Sequence, residues 1–191
     1  PAEIRKIEPH CRGLMGLFVP QAGIINFREV AEKYAEKIKQ LGGEILLNRC
    51  VQHIEQTEDG VEVSSMGDSW RAKIMVNCAG LQSDRIAKQT HPDLPVRITP
   101  FRGEYYVLKP ESRGLVRNLI YPVPNPSFPF LGVHFTRMIN GEIECGPNAV
   151  FAFAREGYGR FDFNFKDTIE ALTWPGFQKV VRKYWKAGLS E

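Results

Sequence analysis

The stretch that decides the fold is Ile74-Met75-Val76-Asn77-Cys78-Ala79-Gly80-Leu81-Gln82-Ser83-Asp84. Its first part is apolar and partly β-branched, which predicts a short buried strand. We expect the strand to stop at Cys78-Ala79-Gly80, where small side chains let the backbone approach a flat ligand. Ser83 or Asp84 is then placed to cap a new helix and to direct its N-terminal amides at an anion. This arrangement suits a nucleotide cofactor, but many α/β proteins without one also have a strand that ends in small residues.

The composition is that of an ordinary soluble globular protein. Hydrophobic residues make up 43% and charged residues 25% of 191 residues, enough for one large domain or one and a half small ones. A formal charge of +3 does not indicate nucleic acid binding, but it suits a small anionic substrate. The four cysteines form no CxxC pair, which favours reduced thiols over disulfides or a metal site. No apolar run reaches the roughly 18 residues that a membrane span needs.

The first part of the chain has an α/β pattern. Residues 27–41 predict an amphipathic helix with Asn26 as N-cap, Glu29 three residues later, and Gly42-Gly43 at its end. Strands are predicted to follow at Glu44–Leu47, Val51–Glu55, Val61–Ser64 and Ile74 onward, with a turn at Glu58-Asp59-Gly60. The apolar stripe of the helix is expected to face a core and consists of Phe27, Val30, Ala31, Tyr34, Ala35, Ile38 and Leu41.

The second part predicts an antiparallel sheet followed by helices. Asn140-Gly141 is a strong hairpin signal. The predicted strands are Arg102–Leu108, Leu119–Tyr121, Phe130–Thr136 and Ile143–Gly146, with a rigid loop at Pro122–Pro129. Helix returns at about Asp167, and Pro175 suits a first helical turn. The last helix has an apolar stripe of Phe177, Val180, Val181, Tyr184 and Trp185. Its other face carries Lys179, Arg182, Lys183 and Lys186, where solvation is favoured over contact with anionic lipid.

Short motifs add little on their own. The chain has no Walker loop, no HExxH and no GxSxG, and Gly157-Tyr158-Gly159-Arg160-Phe161-Asp162 lacks the third glycine of a dinucleotide-binding turn. A lone strand histidine such as His134 is usually structural. Arg102 has the ordinary alternative of a surface ion pair, and Cys78 that of a buried inert thiol.

Several segments occur together in an order that resembles the L-2-hydroxyglutarate dehydrogenases and oxidases, FAD enzymes of the D-amino-acid-oxidase-like superfamily. The resemblance runs from about Glu8 to at least Phe163. The segments are Pro9-His10-Cys11-Arg12-Gly13-Leu14-Met15, Ala22-Gly23-Ile24-Ile25-Asn26, Asn77-Cys78-Ala79-Gly80-Leu81-Gln82-Ser83-Asp84-Arg85, Pro100-Phe101-Arg102-Gly103-Glu104-Tyr105, Tyr121-Pro122-Val123-Pro124, Phe130-Leu131-Gly132-Val133-His134-Phe135-Thr136, Gly146-Pro147-Asn148-Ala149-Val150 and Arg155-Glu156-Gly157-Tyr158.

The resemblance implies an α+β fold, with part of a Rossmann-like FAD-binding domain and a substrate domain built on an antiparallel sheet. We expect residues 1–19 to lead into the substrate domain, 20–90 to form part of the FAD-binding domain and 91–191 to form the substrate domain with C-terminal helices. Members of this family begin with a strand–GxGxxG–helix and end with a segment that closes over the flavin. Neither is found here, so we expect an internal fragment that is itself inactive and does not necessarily bind FAD.

The implied reaction is oxidation of L-2-hydroxyglutarate to 2-oxoglutarate by hydride transfer to FAD. Within it we assign His134 as the general base, and we expect Arg102 and Tyr105 on one face of a strand to bind one carboxylate. Arg12 or Asn148 would bind the distal carboxylate. Val51, Cys78, Ala79 and Gly80 would contact the cofactor. The alternatives are an amine-oxidising relative that acts on glycine or sarcosine, and a catalytically silent fragment without cofactor.

The expected partners are a small dicarboxylate substrate and an electron acceptor, either oxygen or a membrane quinone. Nucleic acid is not expected. We expect a cytoplasmic protein, with peripheral association with the inner face of a membrane as the alternative.

Overall fold

A computed structural model describes residues 1–124, 126 and 132–190, with side chains described up to residue 185. These residues form two compact units. The first contains Pro1–Gly43 and Gly103–Val150, and the second contains Glu44–Arg102 and Phe151–Glu191. The assignment of residues 1–19, 20–90 and 91–191 to cofactor and substrate domains stays a prediction.

The main helix of the first unit is α2, Phe27–Gln40, which confirms the predicted helix to within one residue. The side chain of Asn26 accepts a hydrogen bond from the Arg28 N–H at 3.1 Å and donates one to Glu29 at 2.8 Å. The helix is followed by Gly42 in the left-handed conformation, at φ 82°. Both ends are therefore determined by local cap residues, as the sequence predicts.

The apolar stripe of α2 does not have the predicted core position. No residue of α2 is buried, and the Phe27 and Tyr34 side chains are 80% and 69% exposed. Ion pairs on the helix surface, such as Arg28–Glu32 at 3.2 Å, add little stability. Because capping alone leaves a helix of this length marginal, α2 depends on residues that would cover its apolar face.

An antiparallel hairpin carries the candidate histidine. Strands β5, His134–Arg137, and β6, Ile143–Phe151, pair antiparallel, with His134 opposite Gly146. The turn between them places Gly141 at φ 82°, which confirms the hairpin predicted from Asn140-Gly141. Strand β4, Phe101–Val107, completes a sheet of order β4-β6-β5.

Two other predictions for this part have different outcomes. The predicted strand at Leu119–Tyr121 is reduced to a single bridge between Ile120 and Phe135. Residues 130 and 131 of the predicted strand Phe130–Thr136 lie outside the described residues, as does half of the predicted loop Pro122–Pro129.

A buried carboxylate holds the N-terminal segment of the first unit. Helix α1, Ala2–Ile7, leads into Glu8, which is only 6% exposed. The Glu8 carboxylate accepts hydrogen bonds from the Arg117 N–H at 3.1 Å and from the Asn118 side chain at 2.7 Å. These bonds compensate for its burial beside the core residue Val116.

The second unit contains a three-stranded antiparallel meander. Its strands are β1, His53–Thr57, β2, Gly60–Ser65, and β3, Asp68–Ala72, in that order. The turn ending at Gly60 confirms the predicted hairpin. Its core positions are Ile54 and Val61, which are 2% and 7% exposed. Strand β3 was not predicted, because its short polar sequence lacks an apolar alternation.

Two predicted strands are wrong. Residues 44–47 and 74–79 are outside every strand, and the Ile74 and Val76 side chains are 81% and 78% exposed. A strand requires a hydrogen-bonding neighbour, and no strand among the described residues pairs with either segment. The sequence of residues 74–76 has strand character, but pairing partners come from elsewhere in a chain.

Two helices complete the second unit and confirm the predicted return to helix. They are α4, Phe165–Leu172, and α5, Pro175–Ser190, which starts at the predicted proline. Phe177 is 6% exposed and its ring stacks on that of Phe151 at a centroid distance of 4.9 Å. No helix in the described part of the chain is long and apolar enough to cross a membrane.

Candidate functional site

His134 is held in a defined orientation at the start of β5. Its Nδ1 lies 3.0 Å from the carbonyl oxygen of Gly132. Because a carbonyl oxygen only accepts hydrogen bonds, the proton of the neutral ring is assigned to Nδ1. The other ring nitrogen, Nε2, then has a lone pair, so neutral His134 can accept a proton from a ligand.

Two tyrosines lie beside the imidazole. The Tyr121 ring is 4.7 Å from the His134 ring between centroids, at an interplanar angle of 30°. The Tyr105 ring approaches edge-on at 6.5 Å and 76°. Tyr105 was predicted from the sequence, whereas Tyr121 was missed as a neighbour of the histidine. The signal was its place in the Tyr121–Pro124 segment that carries the family resemblance.

Glycines make room for the Tyr105 ring. A Cβ atom on Gly146 would lie 2.8 Å from Tyr105 Cδ1, and one on Gly103 would lie 2.9 Å from Tyr105 Cε2. Both separations are shorter than carbon atoms tolerate, so larger residues at these positions would displace the ring. Because Gly146 is paired with His134 across the hairpin, its small size permits the approach of Tyr105 to the histidine.

The other predicted substrate-binding residues are Asn148, Arg12 and Arg102. Asn148 is half-buried on β6, two residues beyond Gly146, and Arg12 is exposed between α1 and α2. Arg102 is counted with the second unit and donates from Nη1 to the carbonyl oxygen of Gly159 at 2.8 Å. The expectation that Arg102 and Tyr105 share one face of the strand is wrong. Residues three apart in a strand lie on opposite faces, and Tyr105 shares its face with Gly103.

The predicted cofactor-binding residues lie in a turn of the second unit. We define the cofactor turn as residues 77–83, in which Cys78, Ala79 and Gly80 are exposed. Gly80 has φ 52°, and a Cβ there would meet nothing within 4 Å. The backbone is therefore accessible here, and its contact with a cofactor stays a prediction. Val51 lies in the same unit, half-buried just before β1.

The helix after the turn does not provide the predicted anion site. A single 3₁₀ turn at Gly80–Gln82 precedes α3, Ser83–Ala87, which has only five residues and no side-chain cap. Asp84 was predicted as a possible N-cap, but its carboxylate instead accepts hydrogen bonds from Arg155 and from the Ile98 N–H at 3.1 Å. The predicted capping of this helix by Ser83 or Asp84, which was to direct its amides at an anion, is therefore wrong.

A buried arginine contacts the turn. Arg155 is 5% exposed, and its guanidinium forms a two-point ion pair with Asp84, with Nη2 2.8 Å from Oδ2. Its Nη1 also donates to the Leu81 carbonyl oxygen at 2.7 Å. Sequence reasoning missed this pair. The signal was a lone arginine after the apolar run at residues 149–154.

A second arginine extends the cluster to α4. Arg85 Nη2 lies 2.5 Å from Asp167 Oδ1 and 2.6 Å from Glu170 Oε2. The other oxygen of Asp167 accepts the backbone N–H of Arg155 at 2.8 Å. We refer to Asp84, Arg85, Arg155, Asp167 and Glu170 as the charge cluster, which contains two positive and three negative side chains.

The charge cluster keeps its two aspartates ionised. Burial by itself raises the pKa of Asp84, but hydrogen bonds from Arg155 and the Ile98 N–H, with the positive charge of Arg155, lower it to about 2. Burial also raises the pKa of Asp167, and bonds from the Arg155 N–H and the Arg85 side chain outweigh it, so the net pKa is lowered. Both side chains are therefore anionic at neutral pH.

The sequence matches a known protein family and several curated relatives. The family profile described as DAO, FAD dependent oxidoreductase, matches residues 1–189. Over 190 residues the chain is 50% identical to the L-2-hydroxyglutarate dehydrogenase of Indibacter alkaliphilus, which covers 99% of this chain and 48% of that protein. It is 43% identical over 190 residues to the protein of the same name from Escherichia coli K12. That match covers 99% of this chain and 45% of the relative.

A mitochondrial relative has a similar identity and coverage. The chain is 43% identical over 201 residues to the protein named L-2-hydroxyglutarate dehydrogenase, mitochondrial, from Bos taurus, which covers 99% of this chain and 43% of that protein. The chain thus spans about half the length of the curated relatives that it matches.

Proposed function

The chain belongs to the DAO family of FAD-dependent oxidoreductases, and from that premise we propose that it forms part of an enzyme that oxidises L-2-hydroxyglutarate to 2-oxoglutarate. Its identity of 43–50% to dehydrogenases named for this substrate supports the choice. The structural observation that carries the proposal is the His134 ring, held by the Gly132 carbonyl with Nε2 as the basic nitrogen.

We assign His134 the role of general base. Oxidation of a carbinol to a ketone removes a hydroxyl proton and, from the carbon, a hydride. Bound FAD would supply the acceptor for the hydride. The Nε2 atom of His134 would take the hydroxyl proton, for which a neutral imidazole is well suited near pH 7.

The substrate carboxylates need cationic and hydrogen-bonding partners. Arg102 would bind one carboxylate through its planar guanidinium, and Tyr105 would donate a hydrogen bond near His134. Arg12 or Asn148 would bind the distal carboxylate.

The cofactor turn fits one part of FAD. Its exposed Cys78, Ala79 and Gly80 backbone leaves space for a flat ring, and Val51 would contact adenosine through its backbone. A pyrophosphate needs a glycine-rich turn at a helix N-terminus, and residues 1–191 contain no GxGxxG sequence. We therefore assign these residues to the ring systems of FAD and not to its phosphates.

The electron acceptor and location are part of the same proposal. Electrons would pass to oxygen or to a membrane quinone. We propose a cytoplasmic enzyme. The alternative is peripheral attachment to the inner face of a membrane, which a quinone acceptor would favour.

The test uses the natural gene product that contains these residues, purified and kept without oxygen. L-2-hydroxyglutarate should bleach the flavin and yield one 2-oxoglutarate per flavin, while the D-enantiomer, glycine and sarcosine should leave the spectrum unchanged. Bleaching by glycine or sarcosine alone would establish an amine oxidase instead. A flavin-free protein without activity would establish that the sequence has no redox function.

A further inference from the structure

Arg155 Nη1 donates to the Leu81 carbonyl oxygen at 2.7 Å. Asn77 Oδ1 accepts the Ala79 N–H at 3.1 Å, while Asn77 Nδ2 donates to the Ser83 carbonyl oxygen at 2.8 Å. These three bonds hold the two ends and the middle of the turn.

Arg155 is itself rigidly placed. Arg155 is 5% exposed, and its guanidinium bonds both oxygens of Asp84, which in turn accepts the Ile98 N–H at 3.1 Å. A planar guanidinium can meet two carboxylate oxygens and a carbonyl at once, whereas an ammonium group acts as a point charge. The position of the Leu81 carbonyl is therefore linked to the fork geometry of Arg155 and not only to its charge.

Burial of charged side chains costs free energy unless opposite charges and hydrogen bonds compensate for it completely. A buried ion pair often stabilises no more than apolar residues of the same size. One donor of Arg155 is directed at the turn backbone and not at a carboxylate. The exposed backbone at Cys78–Gly80 has little packing of its own that would determine its shape.

We propose that Arg155, supported by Asp84, is a positioning residue that sets the shape of the cofactor turn and thereby the affinity for FAD. This inference rests on the proposed function, in which Cys78–Gly80 contact the cofactor. Asn77 bonds the backbone of the same turn at Ala79 and Ser83, so the two residues should have similar effects on FAD and different effects on global stability.

The experiment compares Arg155→Lys with Arg85→Lys in the natural gene product that contains these residues. Both substitutions keep the charge and lie in the charge cluster. The described bonds of the Arg85 guanidinium go to the side chains of Gln82, Asp167 and Glu170, and none goes to the backbone of the turn. We expect Arg155→Lys to raise the FAD dissociation constant about tenfold, as the loss of a charge-assisted hydrogen bond would. The visible circular dichroism of the bound flavin should change as well. Arg85→Lys should leave both within about twofold, whatever its effect on the melting temperature.

A second variant guards against a misfolded Arg155→Lys protein. Asn77→Ala removes two bonds to the turn at a half-buried position, and the same selective loss of FAD affinity is expected. The proposal is overturned if Asn77→Ala and any folded Arg155→Lys protein bind FAD like the wild type. It is also overturned if Arg85→Lys loses as much affinity as Arg155→Lys.

Hydrogen exchange separates this inference from the proposed function. The Ala79 and Gln82 amides donate within the turn, at 3.1 and 2.9 Å, and should exchange faster in Arg155→Lys than in Arg85→Lys even without cofactor. Faster exchange in a protein that binds no FAD would contradict the proposed function but keep the role of Arg155 in shaping the turn. Unchanged exchange in a folded Arg155→Lys protein would contradict that role directly.

Discussion

At the scale of single residues, the Nδ1 bond of His134 to the Gly132 carbonyl leads to a specific substitution. Asparagine can place its amide near the position of Nδ1 and keep the bond to the carbonyl, but it has no atom that replaces the basic Nε2. We expect His134→Asn in the natural gene product to lower kcat by about 10² or more, with less effect on substrate binding. Steady-state kinetics from pH 6 to 9 measure the effect.

The matched control is His53→Asn, because His53 is an exposed histidine on β1. Near-normal turnover of His134→Asn across this pH range would show that His134 is structural. The Tyr121 ring at 4.7 Å would then be its packing partner and no part of an active site.

Arg102 gives the second prediction at this scale. An ammonium would replace the planar fork by a point contact, so Arg102→Lys should raise the Michaelis constant for L-2-hydroxyglutarate roughly ten- to a hundredfold. The flavin spectrum should be unchanged. Arg71→Lys is the control, since Arg71 is an exposed partner of Glu62 on the meander.

A comparison of two substrates locates the Arg102 contact. Equal losses on L-2-hydroxyglutarate and on a 2-hydroxy acid without the distal carboxylate would place Arg102 at the proximal carboxylate. A loss confined to L-2-hydroxyglutarate would place it at the distal one. If neither substrate is affected, Arg102 is not in the site, and its bond to the Gly159 carbonyl is its structural role.

At the scale of elements, the charge cluster connects α3, α4 and the segment after β6 within the second unit. Its acid sensitivity follows from Asp84, whose folded pKa is about 2 against an ordinary 3.8. Because the folded pKa is lowered, the stabilisation is present above about pH 4 and is lost as the pH falls towards 2. A pKa shift of this size corresponds to about 2 kcal/mol in the free energy of unfolding.

We therefore expect Asp84→Asn to destabilise the protein most at neutral pH, where it leaves Arg155 buried without its ionic partner. The difference in the free energy of unfolding from the wild type should shrink by about 2 kcal/mol between pH 5 and pH 2. Urea unfolding at several pH values measures it. Asp68→Asn, at an ion pair with Arg49 that is largely exposed, should change stability by less than about 1 kcal/mol. An Asp84→Asn difference that does not vary with pH would contradict the assignment.

Local signals predicted the elements that depend on local interactions. The caps of α2 at Asn26 and Gly42, the Asn140-Gly141 hairpin and Pro175 at the start of α5 need only neighbouring residues, and the structure has all of them. The segment at residues 74–79 has strand character too, but a strand also needs a partner. Its exposure shows why periodicity alone overstated the structure there.

In the candidate site, too, local patterns predicted some residues and missed those that only the tertiary fold brings together. Sequence patterns singled out His134 and the turn at Cys78–Gly80, because an isolated polar residue on an apolar strand and a run of small residues are visible locally. They missed Tyr121 and the Arg155–Asp84 pair. The first contact joins residues 13 positions apart and the second joins residues 71 positions apart. Such contacts are made by the tertiary fold, and no spacing rule for a single helix or strand reports them.

At the scale of the whole molecule, much apolar surface is left uncovered. The side chains of Leu14, Met15 and Leu17 are about 90% exposed, and α2 has no buried residue. Soluble proteins rarely expose apolar residues in such runs without a surface that covers them. From this exposure we expect another protein surface to cover these side chains.

The affinity for FAD should show this dependence most directly. In the proposed function the cofactor turn contacts the ring systems of FAD, and residues 1–191 contain no GxGxxG sequence for the pyrophosphate. Phosphate binding at a helix N-terminus requires backbone amides that approach closely, and α3 is a single uncapped turn of five residues. We therefore expect the 191-residue chain to purify colourless.

The measurement is the visible flavin spectrum of the 191-residue chain, before and after incubation with excess FAD and removal of free cofactor. The Indibacter alkaliphilus relative, prepared in parallel at its full length, shows that the procedure retains bound flavin. Stoichiometric flavin in the 191-residue chain would mean that its own backbone binds the pyrophosphate without a glycine-rich turn. The cofactor turn would then have to bind far more of FAD than its exposed Cys78–Gly80 backbone suggests. A colourless chain that gains flavin when it is combined with the rest of the relative's sequence would instead assign the phosphates to residues outside these 191.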